Sequence, residues 1–154
     1  MKPYFSLQRV LELKERREQA TAQRLAAARQ AAEAAREALD LLADQRRRGE
    51  AQRAEIGGVI ATVGQLQNAS YVLDRLDQRL EEAATAAREA EAHVNVCFAE
   101  FTIASRERQM LDRLKERKAA AATAEEAALD RKTMDAVALT RFTRGRMHPE
   151  GSTS

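Results

Sequence analysis

A heptad repeat of apolar residues between positions 73 and 111 constrains the fold of this chain more than any other feature. Alternate steps of three and four residues from Leu73 reach twelve positions, of which all but Arg108 are apolar. This spacing keeps one side of a helix apolar and is typical of a coiled coil. The positions are Leu73, Leu76, Leu80, Ala83, Ala87, Ala90, Val94, Cys97, Phe101, Ala104, Arg108 and Leu111. The pattern predicts a long helix that packs against another helix.

The same spacing runs through the first third of the chain and supplies a candidate for that second helix. Eight of its eleven positions are apolar, and the three exceptions, Lys14, Glu18 and Thr21, are consecutive positions of the repeat. The positions are Leu7, Leu11, Lys14, Glu18, Thr21, Leu25, Ala28, Ala32, Ala35, Leu39 and Leu42. The two seams therefore predict two arms of a coiled coil.

Composition supports an elongated all-α fold. Ala, Arg, Glu, Leu and Lys make up 90 of the 154 residues, above the roughly 50% that is typical of long helices and coiled coils. The 26 cations nearly balance 24 anions, whereas disordered chains with few large apolar residues usually carry a high net charge. We predict a single domain over residues 1–154, a long two-helix antiparallel coiled-coil hairpin with a C-terminal helical overhang.

Glycines at positions 57 and 58 suggest where the hairpin turns, because glycine is costly inside a helix and permissive in a turn. We predict arm one at about 5–55, the turn at 56–65, arm two at 66–144 and a flexible tail at 145–154. A turn between Gly57 and Gly58 makes the numbers of facing residues add up to 115, which places Leu42 opposite Leu73. Totals of 108 and 122 also align the seams, but with turns at Ala54 or Ala61; the glycine pair favours 115.

Arm two is longer than arm one can cover. Residues 112–144 contain neither glycine nor proline, and their apolar residues leave the heptad spacing. In the predicted register nothing in arm one faces them. About 33 residues, roughly 50 Å of helix, would therefore extend without an internal partner.

No pattern in the chain indicates catalysis or a bound cofactor. The glycines around position 60 lack the lysine and spacing of a phosphate-binding loop. His93 and Cys97 are four residues apart, but His148 is the only other histidine and Cys97 the only cysteine, so a four-ligand zinc site is not available. Cys97 lies on the seam, where it acts as a small apolar residue. We predict a non-enzymatic protein without metal or cofactor, and cytoplasmic because no secretory signal or membrane span is evident.

Basic residues cluster twice, near the predicted turn and near the C-terminus. The clusters are Arg46, Arg47, Arg48 and Arg53, and Arg131, Lys132, Arg141, Arg144 and Arg146. Nucleic-acid or anionic-lipid binding is one interpretation. Acidic residues are interspersed, however, and the whole chain carries only +2. A solvated face or a docking surface for an acidic protein is the favoured interpretation, and no nucleic acid is expected as a partner.

Two segments are candidate partner-binding surfaces. The first is the overhang, where apolar and basic residues alternate: Leu129, Arg131, Lys132, Val137, Arg141, Phe142 and Arg144. The second is the charge-free turn region, with Ile56, Val59 and Ile60. Large apolar residues at the end of a two-helix hairpin mark a partner site; the equally weighted alternative is a local helix-turn knot that buries them.

Several stretches of the sequence resemble the flagellar export protein FliJ family. The opening, residues 5–18 (FSLQRVLELKERRE), is similar to the F-x-L-Q-x-[VL]-L-x-[LI]-[RK]-E pattern with which that family begins. YVLDRL at 71–76, RLKER at 113–117 and LDRKTMDAVA at 129–138 resemble its later segments. Ala136 stands where the family tends to have Glu, and Ala119–Ala122 replaces a more charged stretch.

The resemblance implies a component of the flagellar type III protein export apparatus. Members form a long antiparallel coiled coil similar to the stalk of rotary ATPases. The implied partners are the hexameric export ATPase, the export-gate membrane protein and the export chaperones, with the protein peripheral at the inner face of the cell membrane through those partners. The alternatives are a generic coiled-coil scaffold, or the equivalent stalk protein of a virulence-type secretion system. No family binding residue is transferred to this chain.

Overall fold

Two long helices packed against each other make up the fold. The structure, a computed structural model, describes residues 3–59 and 61–146, with side chains described from Ser6 onward. Helix α1 spans Pro3–Gly57 and helix α2 spans Val63–Arg146. No strand occurs in those described ranges. The predicted all-α, two-helix fold is confirmed; Ile60 and residues 147–154, most of the predicted tail, lie outside the described residues.

The chain divides into two units that are described separately. One unit is Glu12–Arg108, which contains most of α1, the turn and the first half of α2. The other unit combines residues up to Leu11 with those from Gln109 onward. The seam runs through both units, and the buried residues all fall on its predicted positions: Leu11, Thr21, Leu25, Ala28, Ala32, Leu73, Ala87, Cys97 and Ala104.

The core of the Glu12–Arg108 unit is narrow. Leu25, Ala28 and Cys97 form its buried cluster, and the half-buried side chains of Val94 and Phe101 pack against them. Small residues allow the helices to approach closely, but each buried alanine removes little apolar area from water. The free energy of unfolding therefore depends on a few larger side chains.

Replacement of Leu25 by alanine should show this dependence. Leu25 is 6% exposed, and we expect Leu25→Ala to lower the free energy of unfolding by about 2 kcal/mol, at the lower end for leucine truncations. The matched control is Leu41→Ala on the same helix, because Leu41 is 60% exposed and its loss should change stability by less than about 0.5 kcal/mol. Urea unfolding followed by circular dichroism measures both; equal effects would contradict the described core.

The second helix begins with a capping box formed by Thr62 and Gln65. The Gln65 backbone N–H donates to the Thr62 hydroxyl at 3.3 Å, and the Thr62 backbone N–H donates to the Gln65 side-chain oxygen at 3.2 Å. This reciprocal pair satisfies two amide groups that a helix start otherwise leaves unpaired. At the other side of the turn, the Gly58 N–H donates to the carbonyls of Ala54 and Glu55. The chain therefore turns within residues 58–62.

The predicted register is wrong by one heptad. The contacts across the hairpin join Leu25 and Ala28 to Cys97 and its neighbours, and a Cβ built on Gly49 would lie 3.2 Å from a Leu73 methyl. The residue numbers of Leu25 and Cys97 add up to 122, as do those of Gly49 and Leu73, instead of the predicted 115. Gly57 is still helical, and no described glycine has a positive φ. The centre of the turn therefore does not lie between Gly57 and Gly58.

Ion pairs flank the seam and follow the same register. Arg24 pairs with Glu100, Arg36 with Glu91 and Arg46 with Asp77. In each pair the cation comes from α1 and the anion from α2, in agreement with the sequence, in which residues 1–55 carry 12 cations and 9 anions while 56–111 carry 5 and 8. Exposed pairs contribute about 0–1 kcal/mol each, so they select the register more than they stabilise the fold.

A polar cluster explains the charged positions of the seam. Lys14 Nζ donates to Glu107 at 2.8 Å, and the Arg108 guanidinium donates to Glu18. Thr21, which is 4% exposed, donates its hydroxyl to backbone carbonyls of its own helix at 2.9 Å. In the 115 register Lys14 would face Phe101 and Glu18 would face Cys97. Charge pairing therefore favours the observed register.

Glu107 gives this cluster a pH dependence. The hydrogen bond from Lys14, together with the charges of Lys14 and Arg17, lowers the pKa of Glu107 below its ordinary value of 4.5. A carboxylate with a lowered pKa in the folded state stabilises it fully above the ordinary value, and the contribution is lost as the pH falls through the lowered pKa. We expect Glu107→Gln to reduce the acid-induced fall in melting temperature, measured by circular dichroism, with little change in helix content at neutral pH. An identical acid profile would contradict this role.

Candidate partner-binding surfaces

The C-terminal part of α2 is helical but covered by nothing else among the described residues. Every residue from 116 to 146 is exposed, including the predicted site residues Leu129 (61% exposed), Val137 (43%) and Phe142 (62%). Isolated helices gain no packing energy, so this segment relies on intrinsic propensity, and four successive alanines at 119–122 supply it. The predicted overhang is thus observed, with its exposed part beginning at 116 instead of 112.

Large apolar residues are distributed around this helix. At about 100° per residue, Leu129 and Val137 are about 80° apart around the helix, and Phe142 lies about 140° from each of them. Met134 and Leu139, which are not among the predicted site residues, are also exposed, at 71% and 67%. A surface of this kind fits a partner that surrounds the helix better than one that covers a single face.

Threonine hydroxyls along the same segment are satisfied within the helix. Thr133, Thr140 and Thr143 each donate to the carbonyl four residues before them, at 2.8 to 3.0 Å. These hydroxyls therefore do not need a hydrogen-bond acceptor from a binding partner.

Basic side chains complete this surface. Arg131, Lys132, Arg141 and Arg144 are exposed, as predicted. Arg146, which was not among the predicted site residues, lies 5.3 Å from the centre of the Phe142 ring in a cation–π arrangement. Its spacing of four from an aromatic residue was the available signal. The end of the described helix is thus basic and apolar, which suits carboxylates between apolar side chains.

The turn region forms the second surface, in the other unit. Val59 is 71% exposed and Ile56 is half-buried, where it lines a shallow groove together with Val72 and Leu73. Val63, Leu66 and Tyr71 are exposed as well. Ile60, the third predicted residue, lies outside the described residues. The described apolar side chains of the turn remain largely open to solvent instead of forming a buried knot.

The basic cluster near the turn is partly neutralised. Arg46 contacts both Asp77 and Glu50, and the hydrogen bond and charge of Asp77 raise the pKa of Arg46. Arg48 pairs with Asp44 at 3.1 Å. Such pairing reduces the positive potential that a nucleic acid would need.

Cys97 and His93 contact each other without forming a recognisable metal site. The Cys97 sulfur lies 3.6 Å from His93 Nε2, but Cys97 is 3% exposed and packs in the core. Within the described residues no group of three or more His, Cys, Asp or Glu side chains could hold a metal ion. Cys97 therefore has the structural role expected from its seam position.

These features define a helical coiled-coil protein whose unpartnered surfaces are suited to binding other proteins. In neither described helix is there a stretch apolar and long enough to span a membrane. The family model for the flagellar FliJ protein matches residues 1–147, and the chain belongs to that family. Comparison with curated proteins and with solved structures gave no significant match.

Membership of the family confirms the resemblance drawn from the opening motif and the later segments. It makes the chain a flagellar export-related component. The match covers the coiled coil and the exposed segment 116–146 together.

Proposed function

We propose that this protein is a non-enzymatic stalk and assembly factor for the flagellar export ATPase, which it connects to the export gate and the substrate chaperones. The exposed helical segment 116–146 carries this proposal, because it is long, apolar on several sides and basic towards its end. A ring-shaped ATPase surrounds what it binds and so can contact such a helix from all directions. The coiled coil of the Glu12–Arg108 unit then acts as the stalk.

In this role the protein transmits energy through contacts with its partners, and it makes or breaks no covalent bond itself. Residues 116–146 bind the ring as a helix, and a difference in affinity between the nucleotide states of the ATPase acts on the bound helix. Peripheral location at the cell membrane follows from binding the gate protein. The flagellar family match favours this role over a generic scaffold, and over the equivalent stalk of a virulence-type system; neighbouring genes for a flagellar export ATPase would support it further.

The turn surface is the second candidate for partner binding. Val59, Val63 and Tyr71 are each about 70% exposed and carry no charge. A neutral apolar surface fits an apolar patch on a gate protein or chaperone better than an acidic ring. We assign the ATPase to the C-terminal segment and the other partners to the turn.

Substitution of one exposed residue on each surface tests the assignment. Phe142→Asp should weaken binding to the purified export ATPase and its stimulation at least tenfold, because a carboxylate replaces an apolar contact beside the basic end of the helix. Val59→Asp is the matched control, since Val59 is at least as exposed as Phe142 (71% against 62%). Pull-down and steady-state ATP hydrolysis measure both. Loss of binding with Val59→Asp alone would place the ATPase at the turn.

A further inference from the structure

The seam between α1 and α2 is poorly filled next to the turn. Leu73 faces Gly49, where a Cβ would lie 3.2 Å from a Leu73 methyl group. One layer further from the turn, Leu76 faces Arg46, whose guanidinium extends to Asp77. These two layers therefore contain one large apolar side chain each.

A slide of α1 by one heptad towards the turn would fill both layers. In this displaced register the numbers of facing residues add up to 115, and Leu76 faces Leu39. Leu73 then faces Leu42, which in the observed register faces Leu80. Two layers of paired leucines replace one, and each pair removes more apolar surface from water than a leucine opposite glycine or arginine. Apolar packing next to the turn therefore favours the displaced register.

The middle of the seam does not discriminate between the two registers. Ala28, Ala32 and Ala35 lie there on α1. In either register two of the three face alanines of α2, and the third faces a larger side chain, Val94 or Leu80.

Two of the flanking ion pairs would re-form after the slide. Each of two arginines on α1 has a second arginine seven residues before it, which the slide moves into its position. The replacements are Arg29 for Arg36 at Glu91 and Arg17 for Arg24 at Glu100. Leu39 lies seven residues before Arg46, so the pair with Asp77 would be lost. Exposed pairs are individually weak, and together they favour the observed register only slightly.

The polar cluster is the part of the seam that opposes the slide. In the displaced register Lys14 would leave Glu107 and face Phe101. Glu18 would face Cys97, which is 3% exposed. A charge that is buried without its partner is strongly destabilising.

We propose that α1 and α2 can pack in either of two registers one heptad apart, and that the polar cluster holds the natural chain in the observed one. Its pairs are Lys14 with Glu107, at 2.8 Å, and Arg108 with Glu18. Separation of these pairs releases α1 to slide. The slide would uncover seven further residues of α2 before position 116, about 10 Å of helix.

The turn can follow this slide, which would place Gly57 and Gly58 at its centre. Glycine inside a helix is less favourable than alanine, and a Cβ on Gly57 would meet nothing within 4 Å. An earlier end of α1 therefore gives up little packing at that residue. The capping box of Thr62 and Gln65 would be lost, which adds to the preference for the observed register.

Two disulfide pairs in a Cys97→Ser background report the two registers separately. Ala28→Cys with Val94→Cys should link in the observed register. Ala28→Cys with Ala87→Cys should link only in the displaced one, because a disulfide needs Cα atoms within about 7 Å. Equilibration in a glutathione redox buffer gives the effective concentration of each thiol pair, and non-reducing electrophoresis separates internal links from links between molecules.

Replacement of both Lys14 and Glu18 by leucine should shift the balance towards the displaced register. We expect the effective concentration of the 28–87 pair, relative to the 28–94 pair, to rise at least tenfold. Both residues are replaced because either one alone still places a charge in the displaced seam. The matched control is Glu12→Leu with Arg16→Leu, which also removes one anion and one cation four residues apart, from exposed positions outside the seam. Its ratio should be unchanged.

Circular dichroism measures the helix content of each variant. A ratio that Lys14→Leu with Glu18→Leu leaves unchanged would overturn the proposal, and so would an equal rise in the control. Loss of helix content in the Lys14→Leu, Glu18→Leu chain would also overturn it, because the cluster would then stabilise the fold instead of selecting its register.

Discussion

A cysteine introduced at position 25 is expected to form an intramolecular disulfide with the natural Cys97, whereas one at position 18 is not. Leu25 and Cys97 belong to one buried cluster, and a disulfide forms only when the two Cα atoms are within about 7 Å. In the register first expected from the glycines, position 18 would face Cys97 instead. A displacement of one heptad moves a residue about 10 Å along the helix, so the two outcomes exclude each other.

Mild oxidation followed by non-reducing electrophoresis and mass spectrometry measures this result. The natural chain, with Cys97 alone, controls for linkage between molecules. We expect near-complete internal linkage in Leu25→Cys and little in Glu18→Cys. The reverse result would support the register with a total of 115. Linkage only between molecules would show that α1 of one chain pairs with α2 of another chain.

The seam could be predicted from sequence because burial in a coiled coil follows local spacing. The spacing predicts Leu25, Ala28 and Cys97 on the seam, and all three are buried. The spacing does not fix the register, since two seams of equal period align at every seventh residue. The glycine pair predicted the wrong register because glycine is permitted in a turn without being required there.

Two other sequence signals identify the observed register. The Thr62–Gln65 spacing matches a capping box, which places the start of α2 at residue 63 and moves the turn towards position 61. In addition, Lys14 and Glu18 need partners of opposite charge, and only the 122 register brings them to Glu107 and Arg108. Charged positions in a seam were thus more informative than the apolar ones.

Exposure of the C-terminal segment could be predicted from the loss of the seam, but its limits could not. The register decides which residue of α2 lies beside the N-terminal end of α1. An error of one heptad in the register therefore shifts the uncovered segment along α2. The cation–π pair of Arg146 and Phe142 depends on rotamers that spacing alone does not fix. Residue type and spacing therefore locate the segment, while packing decides which side chains act together.

A chain that ends at Lys115 should keep its hairpin and lose its affinity for the export ATPase. All the buried residues precede position 116, and residues 116–146 are exposed throughout. Their removal therefore deletes no core contact, and the melting temperature of the remaining hairpin should stay within a few degrees of the full chain. The proposed ring-binding surface, in contrast, is removed entirely. We expect at least a hundredfold weaker binding and no stimulation of ATP hydrolysis.

Cells provide the second measurement of this effect. Expression of the shortened chain in a strain that lacks the natural gene should leave export of flagellar subunits and swimming strongly impaired, whereas a full-length chain with Leu41→Ala should restore both. The shortened chain must first give an unchanged thermal unfolding curve, so that lost binding is not lost folding. If a folded chain ending at Lys115 still stimulates the ATPase, the coiled coil itself contacts the ring, and the turn surface becomes its binding site.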